Sequence, residues 1–350
     1  MCVIAGYIGN QPAAPILLEM LRREEGLAGG FYSGIATVDD GILHTEKVVG
    51  DAATLIAQTP ALQLPGNIGI AHSRTPSGGG REWSHPFVDT SGELAYIANG
   101  AVGKFDNLPQ LAALSLELME VGHKFSSAQS EAVGKYPTLE NGTSVHFSDT
   151  LCQAIAAKYQ QLSGQPHRLL RAAAQVYQSV PNEIVGLCLH AAHPDEIVAV
   201  RHNKPLEIGR DADGGIYLAT TTLAFPEGVS WQMRMPAASG AVFHRAGWTH
   251  IEPFTEITLP VGPFPSPLSI QECLMPLLRG GEPPTIHALC EAARSLWPGS
   301  TLNEKEIVVF ETLAALVAEN RIRLENIQVP GMEGKGTVPR TQVYWNEPGA

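Results

Sequence analysis

Three prolines fall within eight residues in the run Val261-Gly-Pro-Phe-Pro-Ser-Pro-Leu268, and this run constrains the fold more than any other stretch of the chain. Proline lacks a backbone N–H and has a fixed φ, so neither a central strand nor a helix passes through such a segment. Two units are therefore expected, one over residues 2–262 and a smaller one over residues 267–345. Of the 350 residues, 44% are hydrophobic and 17% charged, which suffices for a sizeable core and excludes disorder as the main theme.

Within the first unit, Cys2 to Ile8 is apolar and β-branched in the manner of a buried strand, and Ala14 to Glu25 carries apolar residues at helical spacing. Short strand patterns recur at Gly34 to Thr37, Ile42 to Lys47, Ile68 to Ser73, Leu94 to Asn99, Ile184 to His190, Ile197 to His202, Ile216 to Thr221 and His250 to Leu259. Helices are predicted over 106–122, 149–162 and 166–178, where Ala and Leu dominate. Strands bunched at both ends with helices between them suit an α+β layered arrangement better than a βαβ succession. In the second unit, helical patterns at Ile270 to Leu278, Thr285 to Trp297 and Asn303 to Asn320 precede two β-like runs around a glycine-rich tip, the order of a winged helix.

Lys and Arg number 23 against 35 Asp and Glu, a net charge of -12, and no local basic patch offsets it. Nucleic acid and acidic membrane surfaces are thus unfavourable partners. Even the winged-helix-like segment from Ser266 carries seven Lys/Arg against ten Glu, which favours packing or docking over DNA binding. Cys2, Cys152, Cys188, Cys273 and Cys290 form no CxxC pair and read as reduced thiols. With no basic n-region before its first apolar residues and no apolar run of about 18 residues, the chain is expected to be cytoplasmic. His190 and His193 lack further ligands at metal-binding spacing, and neither Gly29-Gly30 nor Gly78-Gly79-Gly80 leads into a P-loop Lys, so no metal or cofactor is expected.

Cys2 stands apart by position. With Met1 removed, it offers a thiol nucleophile and an α-amine whose pKa of about 7.7–8.0 suits a base at neutral pH. Position alone also fits a small apolar residue opening a buried strand. Asn99-Gly100 alone fits a tight turn, Arg74 a surface cation, and Asp149 the first turn of a helix.

Taken together and in order, Met-Cys-Val-Ile-Ala-Gly-Tyr-Ile-Gly at the start, Gly69-Ile-Ala-His-Ser-Arg74, His85-Pro86, Asn99-Gly100, Ser148-Asp149-Thr150, Arg201 to Gly209 and Ile216 to Ala224 resemble the class II glutamine amidotransferases. These are N-terminal nucleophile hydrolases, and the nearest pattern is the glutaminase domain of glucosamine-6-phosphate synthase. The resemblance implies a four-layer αββα sandwich of two antiparallel sheets. It also implies glutamine hydrolysis through a Cys2 thioester, with the Asn99 side-chain amide and the Gly100 N–H as oxyanion hole. Arg74 and Asp149 would bind the substrate's carboxylate and ammonium, with Ser77 in the following loop and His85 as a wall of the pocket.

The chain departs from that pattern in four places. Val3 replaces the glycine that usually follows the nucleophile. Thr75-Pro-Ser-Gly-Gly-Gly80 lacks the family's aromatic and His, which suggests a loosely held substrate loop. An insertion between Phe125 and Ser148, containing Lys135-Tyr136-Pro137, reshapes the rim above Asp149. The residues after Leu268 are too few for an acceptor domain, so ammonia would pass to an acceptor synthase subunit in trans. Two other readings stand beside this one: an N-terminal nucleophile hydrolase acting on a different amide, and a non-catalytic binding or regulatory subunit. Self-association into a homo-oligomer is left open.

Overall fold

The computed structural model describes residues 2–101, 108–134, 136, 138–180, 183–254, 265–296, 305–331 and 336–346. Half of the proline-rich junction, Lys135, Pro137 and most of the glycine-rich tip lie outside these residues. The larger unit runs β1 (Val3–Ile8), α1 (Ala13–Glu24), β2 (Tyr32–Asp39), β3 (Ile42–Val49), α2 (Ala52–Gln58), β4 (Ile68–Arg74), β5 (Phe87–Val88), β6 (Leu94–Ala101), α3 (Leu108–Glu120), α4 (Phe147–Gln161) and α5 (Arg168–Ser179). It continues through β7 (Glu183–His190), β8 (Ile197–Arg201), β9 (Glu207–Arg210), β10 (Ile216–Ala219), β11 (Ser230–Arg234), β12 (Ser239–His244) and β13 (Gly247–Pro253).

These strands form a seven-stranded sheet, β11-β9-β10-β1-β4-β2-β3, and a six-stranded one, β13-β12-β8-β7-β6-β5. Every pairing between them is antiparallel. Alternation along β1 shows why the sheets stack. Ile4 and Ile8 point into the layer between the sheets with Ile70, Ile97 and Leu187, while Val3, Ala5 and Tyr7 point outward under Leu17 and Leu21 of α1. Both faces are buried, so the continuous apolar run Val3–Ile8 is what a central strand requires. On the second sheet the outward face, including Tyr96 and Val200, packs against Leu111, Leu151 and Leu170 of α3, α4 and α5. Each such Leu or Ile contributes about 1.5–3 kcal/mol on burial. Helix, sheet, sheet, helix is the resulting order of layers.

The smaller unit comprises α6 (Pro267–Leu278), α7 (Ile286–Ala293), α8 (Lys305–Ala318) and an antiparallel hairpin, β14 (Ile322–Pro330) with β15 (Thr337–Trp345). Ser266 caps α6 and Thr285 caps α7, each side chain accepting a backbone N–H of the first turn. Its core takes in Leu27 from the larger unit, between α1 and β2. Burying that leucine, worth about 2 kcal/mol, outweighs the half-exposed Arg234–Glu311 ion pair at the same junction, worth at most about 1. The hairpin also binds the α1 end directly: Asn326 Nδ2 donates to Glu25 O at 3.0 Å, and Thr341 N to Gly26 O at 3.0 Å. No described helix is long and apolar enough to cross a membrane.

Candidate active site

Cys2 lies directly before β1, whose register sets Val3 opposite Ser73 and Ile4 opposite His72 on β4. The end of β4 therefore delivers Arg74 and Thr75 beside the nucleophile, with Cys2 Sγ 3.8 Å from Thr75 Oγ1. Strand parity places Cys2 with Ile4, His72 with Ile70 and Asn99 with Ile97, on inward-facing positions at one end of the sandwich. A cavity of about 690 Å³ opens there, lined by Cys2, Arg74, Ser77, His85, Gly100 and Tyr136 among others. This volume is within the ordinary range for a small-molecule site. A larger concavity of about 870 Å³ runs between α2 and the hairpin, and among the described residues no Cys, Ser or His lines it.

Buried polar atoms without a partner include His72 Nδ1, Arg74 Nε, Trp83 Nε1, both ring nitrogens of His85 and both amide atoms of Asn99; of these residues Arg74 and His85 line the Cys2 cavity, and His72, Trp83 and Asn99 do not. Each such group costs about 1–3 kcal/mol when nothing answers it. A polar guest is the physical remedy. Asn99 sits in β6 between Ala98 and Gly100, both of which line the cavity.

His85 is pressed inward because β2 carries Gly34, where a Cβ would collide with the His85 carbonyl. Burial together with His72, His146 and Arg74 pushes the His85 pKa well down, and burial lowers that of His72 to about 3. These imidazoles are neutral. Among the described residues no cluster of three His, Cys, Asp or Glu could hold a metal ion.

Arg74 and Asp149 come to the region but are occupied by the protein. Arg74 is 1% exposed; its terminal nitrogens donate to the carbonyls of Trp83 and Gly78, and its guanidinium lies 3.9 Å from the Tyr32 ring centre. Tyr32 in turn donates to Gly79 O at 2.9 Å, so the loop after β4 is tied down through its glycines. Asp149, fully buried in the first turn of α4, accepts from Ser127 N at 2.9 Å, Ser127 Oγ at 2.8 Å, Ser126 Oγ at 3.3 Å and Gln153 Nε2 at 3.2 Å. Burial raises its pKa despite these donors. Ser148 lines the cavity and Asp149 does not.

Sequence reasoning passed over His146 and treated Tyr136 only as part of the insertion's rim. Tyr136 Oη lies 2.8 Å from His146 Nε2, and both line the cavity. The one available signal was a histidine just ahead of the helix that carries Asp149.

Among solved structures, the Bacillus subtilis glutamine phosphoribosylpyrophosphate amidotransferase superposes with a TM-score of 0.56 at 19% identity, over 73% of this chain and 50% of that one. A structure of the allosteric regulatory enzyme of purine biosynthesis matches equally, with a TM-score of 0.56 at 21% identity over 73% of this chain and 50% of that one. This is the class II glutamine amidotransferase fold. Curated relatives of this chain include the glutamine–fructose-6-phosphate aminotransferases of Corynebacterium efficiens, 31% identical over 60% of this chain and 31% of that protein, and Chlorobaculum tepidum, 29% identical over 71% and 37%. That of Pyrococcus horikoshii is 36% identical over 36% of this chain and 20% of its own. The chain spans about a third of the length of the first two. No family model matches it.

Proposed function

We propose that residues 2–262 form a glutaminase domain that hydrolyses the side-chain amide of glutamine through a Cys2 thioester, and that ammonia passes to an acceptor synthase in trans. The observation that carries this reading is the orphaned Asn99 amide beside Gly100, at the end of the sandwich where Cys2 opens the cavity. Once Met1 is removed, the Cys2 α-amine takes the thiol proton, the sulfur attacks the amide carbon, and Asn99 Nδ2–H and Gly100 N–H hold the oxyanion. Such donors are each worth about 3–4 kcal/mol in the transition state. The ammonium returns its proton to the leaving nitrogen, ammonia departs, and water cleaves the thioester to glutamate. Residues 267–345 are read as a winged-helix-like module that docks on the domain through Leu27 and Asn326, and the acidic chain as a cytoplasmic protein.

The internal engagement of Arg74 and Asp149 favours, as a second reading, an amide other than glutamine. Purified protein whose intact mass shows loss of Met1 should release glutamate from glutamine, and Cys2→Ala should abolish the release. Labelling by a glutamine-like electrophile that survives Cys2→Ala would sink the mechanism.

A further inference from the structure

We propose that the Tyr136 hydroxyl is the donor that takes the α-carboxylate of the substrate, which makes it a specificity-determining residue of the Cys2 site. The inference rests on the glutamine reading above. Its starting point is a helix cap. His146 Nδ1 accepts the Ser148 N–H at 3.1 Å at the start of α4, so Nδ1 carries a lone pair. Burial holds the ring neutral, and the hydrogen-bond pattern then assigns its proton to Nε2. Nε2 lies 2.8 Å from Tyr136 Oη, so Nε2–H donates and the phenol oxygen accepts. The phenolic hydrogen is thereby turned away from His146. Burial raises the Tyr136 pKa to about 12, which keeps that hydrogen in place at neutral pH.

The hydroxyl is held in a fixed place. Gly134 adopts φ +51°, and a Cβ there would collide with the Ser77 carbonyl, so the insertion lies backbone to backbone on the loop that follows Arg74. The Tyr136 ring packs edge-on against Trp83 at 5.0 Å and lies 4.9 Å from the His146 ring. A donor fixed before the substrate arrives loses little entropy on binding.

Charge selects the acceptor. Arg74 brings a positive charge to the cavity while its two terminal nitrogens each donate to a backbone carbonyl, of Trp83 and Gly78, and among the described residues no Asp or Glu lines the cavity. An anionic acceptor is favoured there, and Tyr136 offers it a neutral donor held in place beside that charge. Arg74 then acts as the tie that holds the loop.

The test compares glutamine with L-glutaminamide, in which a neutral carboxamide replaces the α-carboxylate, using steady-state ammonia release by the full chain. Tyr136→Phe should raise KM for glutamine about ten- to hundredfold with kcat within about twofold, since a hydrogen bond to a charged group is lost. Its activity on L-glutaminamide should equal that of the wild type, so the preference for glutamine collapses. His146→Asn keeps a side-chain oxygen to cap Ser148 but removes the Nε2–H, and the freed hydroxyl should cost about threefold in KM for glutamine. Equal losses on both substrates, or an unchanged preference in Tyr136→Phe, overturn the proposal; if that variant does not fold, an unchanged KM in His146→Asn does so. A wild type that neither releases ammonia from glutamine nor is labelled at Cys2 removes the glutamine reading and this proposal together. Cys2-dependent turnover with Tyr136→Phe unaffected removes this proposal alone.

Discussion

The His85 ring lies against that of His72, with centroids 3.9 Å apart and planes inclined by 36°. His72 Nε2 meets Ala98 O at 2.9 Å and so carries the proton, while its Nδ1 and both nitrogens of His85 have no partner. The His72–Ala98 bond ties β4, which positions Arg74, to β6, which positions Asn99, and His85 stacks on the His72 ring. Both rings are neutral, because burial at this depth makes a second imidazole proton costly.

His85→Phe keeps the ring volume and discards two unpartnered nitrogens, each worth about 1–3 kcal/mol of desolvation. The variant should melt at or above the wild-type temperature while its kcat/KM on glutamine falls at least about tenfold, the pattern of a site that trades stability for chemistry. Calorimetry and steady-state rates on the same preparation decide the matter, and a variant that melts clearly lower contradicts it.

Asn99→Ala follows the same reasoning at the oxyanion. Because neither amide atom has a protein partner, the loss in stability should be small, limited to the space the side chain leaves. The loss in kcat should be about 10²–10³-fold with KM little changed, since the amide acts on charge that develops only in the transition state. A change confined to KM would place Asn99 in substrate binding instead.

Much of this site was legible in the chain because chemistry restricts which residues can do each task. A Cys at position 2, an Asn-Gly after a strand and a run such as Val3–Ile8 each have few physical uses, and their order along the chain narrows them further. What escaped depends on contacts that no local pattern encodes. Tyr136 and His146 meet through an aperiodic loop, and the strands β11 and β12 are too short and mixed to stand out. Asn326 and Glu25 are joined across 301 positions of sequence. Glu24 and Glu25 read as the polar end of an amphipathic helix, yet both are buried.

Glu25 supplies a pH test. Its carboxylate accepts from Ser33 Oγ at 2.8 Å, Ser73 Oγ at 2.7 Å and Ala52 N at 2.9 Å, but burial outweighs these donors and raises the pKa from 4.5 to about 7. The folded state thus holds a proton that the unfolded chain releases between those values, so this contribution is fully present below pH 4.5 and lost as pH rises through about 7. The stability advantage of wild type over Glu25→Gln, read from urea midpoints, should shrink by about 3 kcal/mol across that window. An advantage that grows with pH would contradict the sign.

The hairpin's attachment gives the last test. Asn326 donates to Glu25 O and accepts from Thr341 Oγ1 at 2.7 Å, so one side chain joins β14 and β15 to the turn that follows α1. Glu25 continues inward to Ser73, the residue opposite Val3 and next to Arg74. Asn326→Ala removes both bonds and strands the Thr341 hydroxyl, which should cost about 1–3 kcal/mol, while the Leu27 core of the module stays intact. Hydrogen exchange should therefore quicken at the Thr341 N–H, which donates to Gly26 O, and along the hairpin, with little change in α6–α8. Quickening that spreads evenly through those helices would mean that Asn326 holds up the whole module rather than its edge.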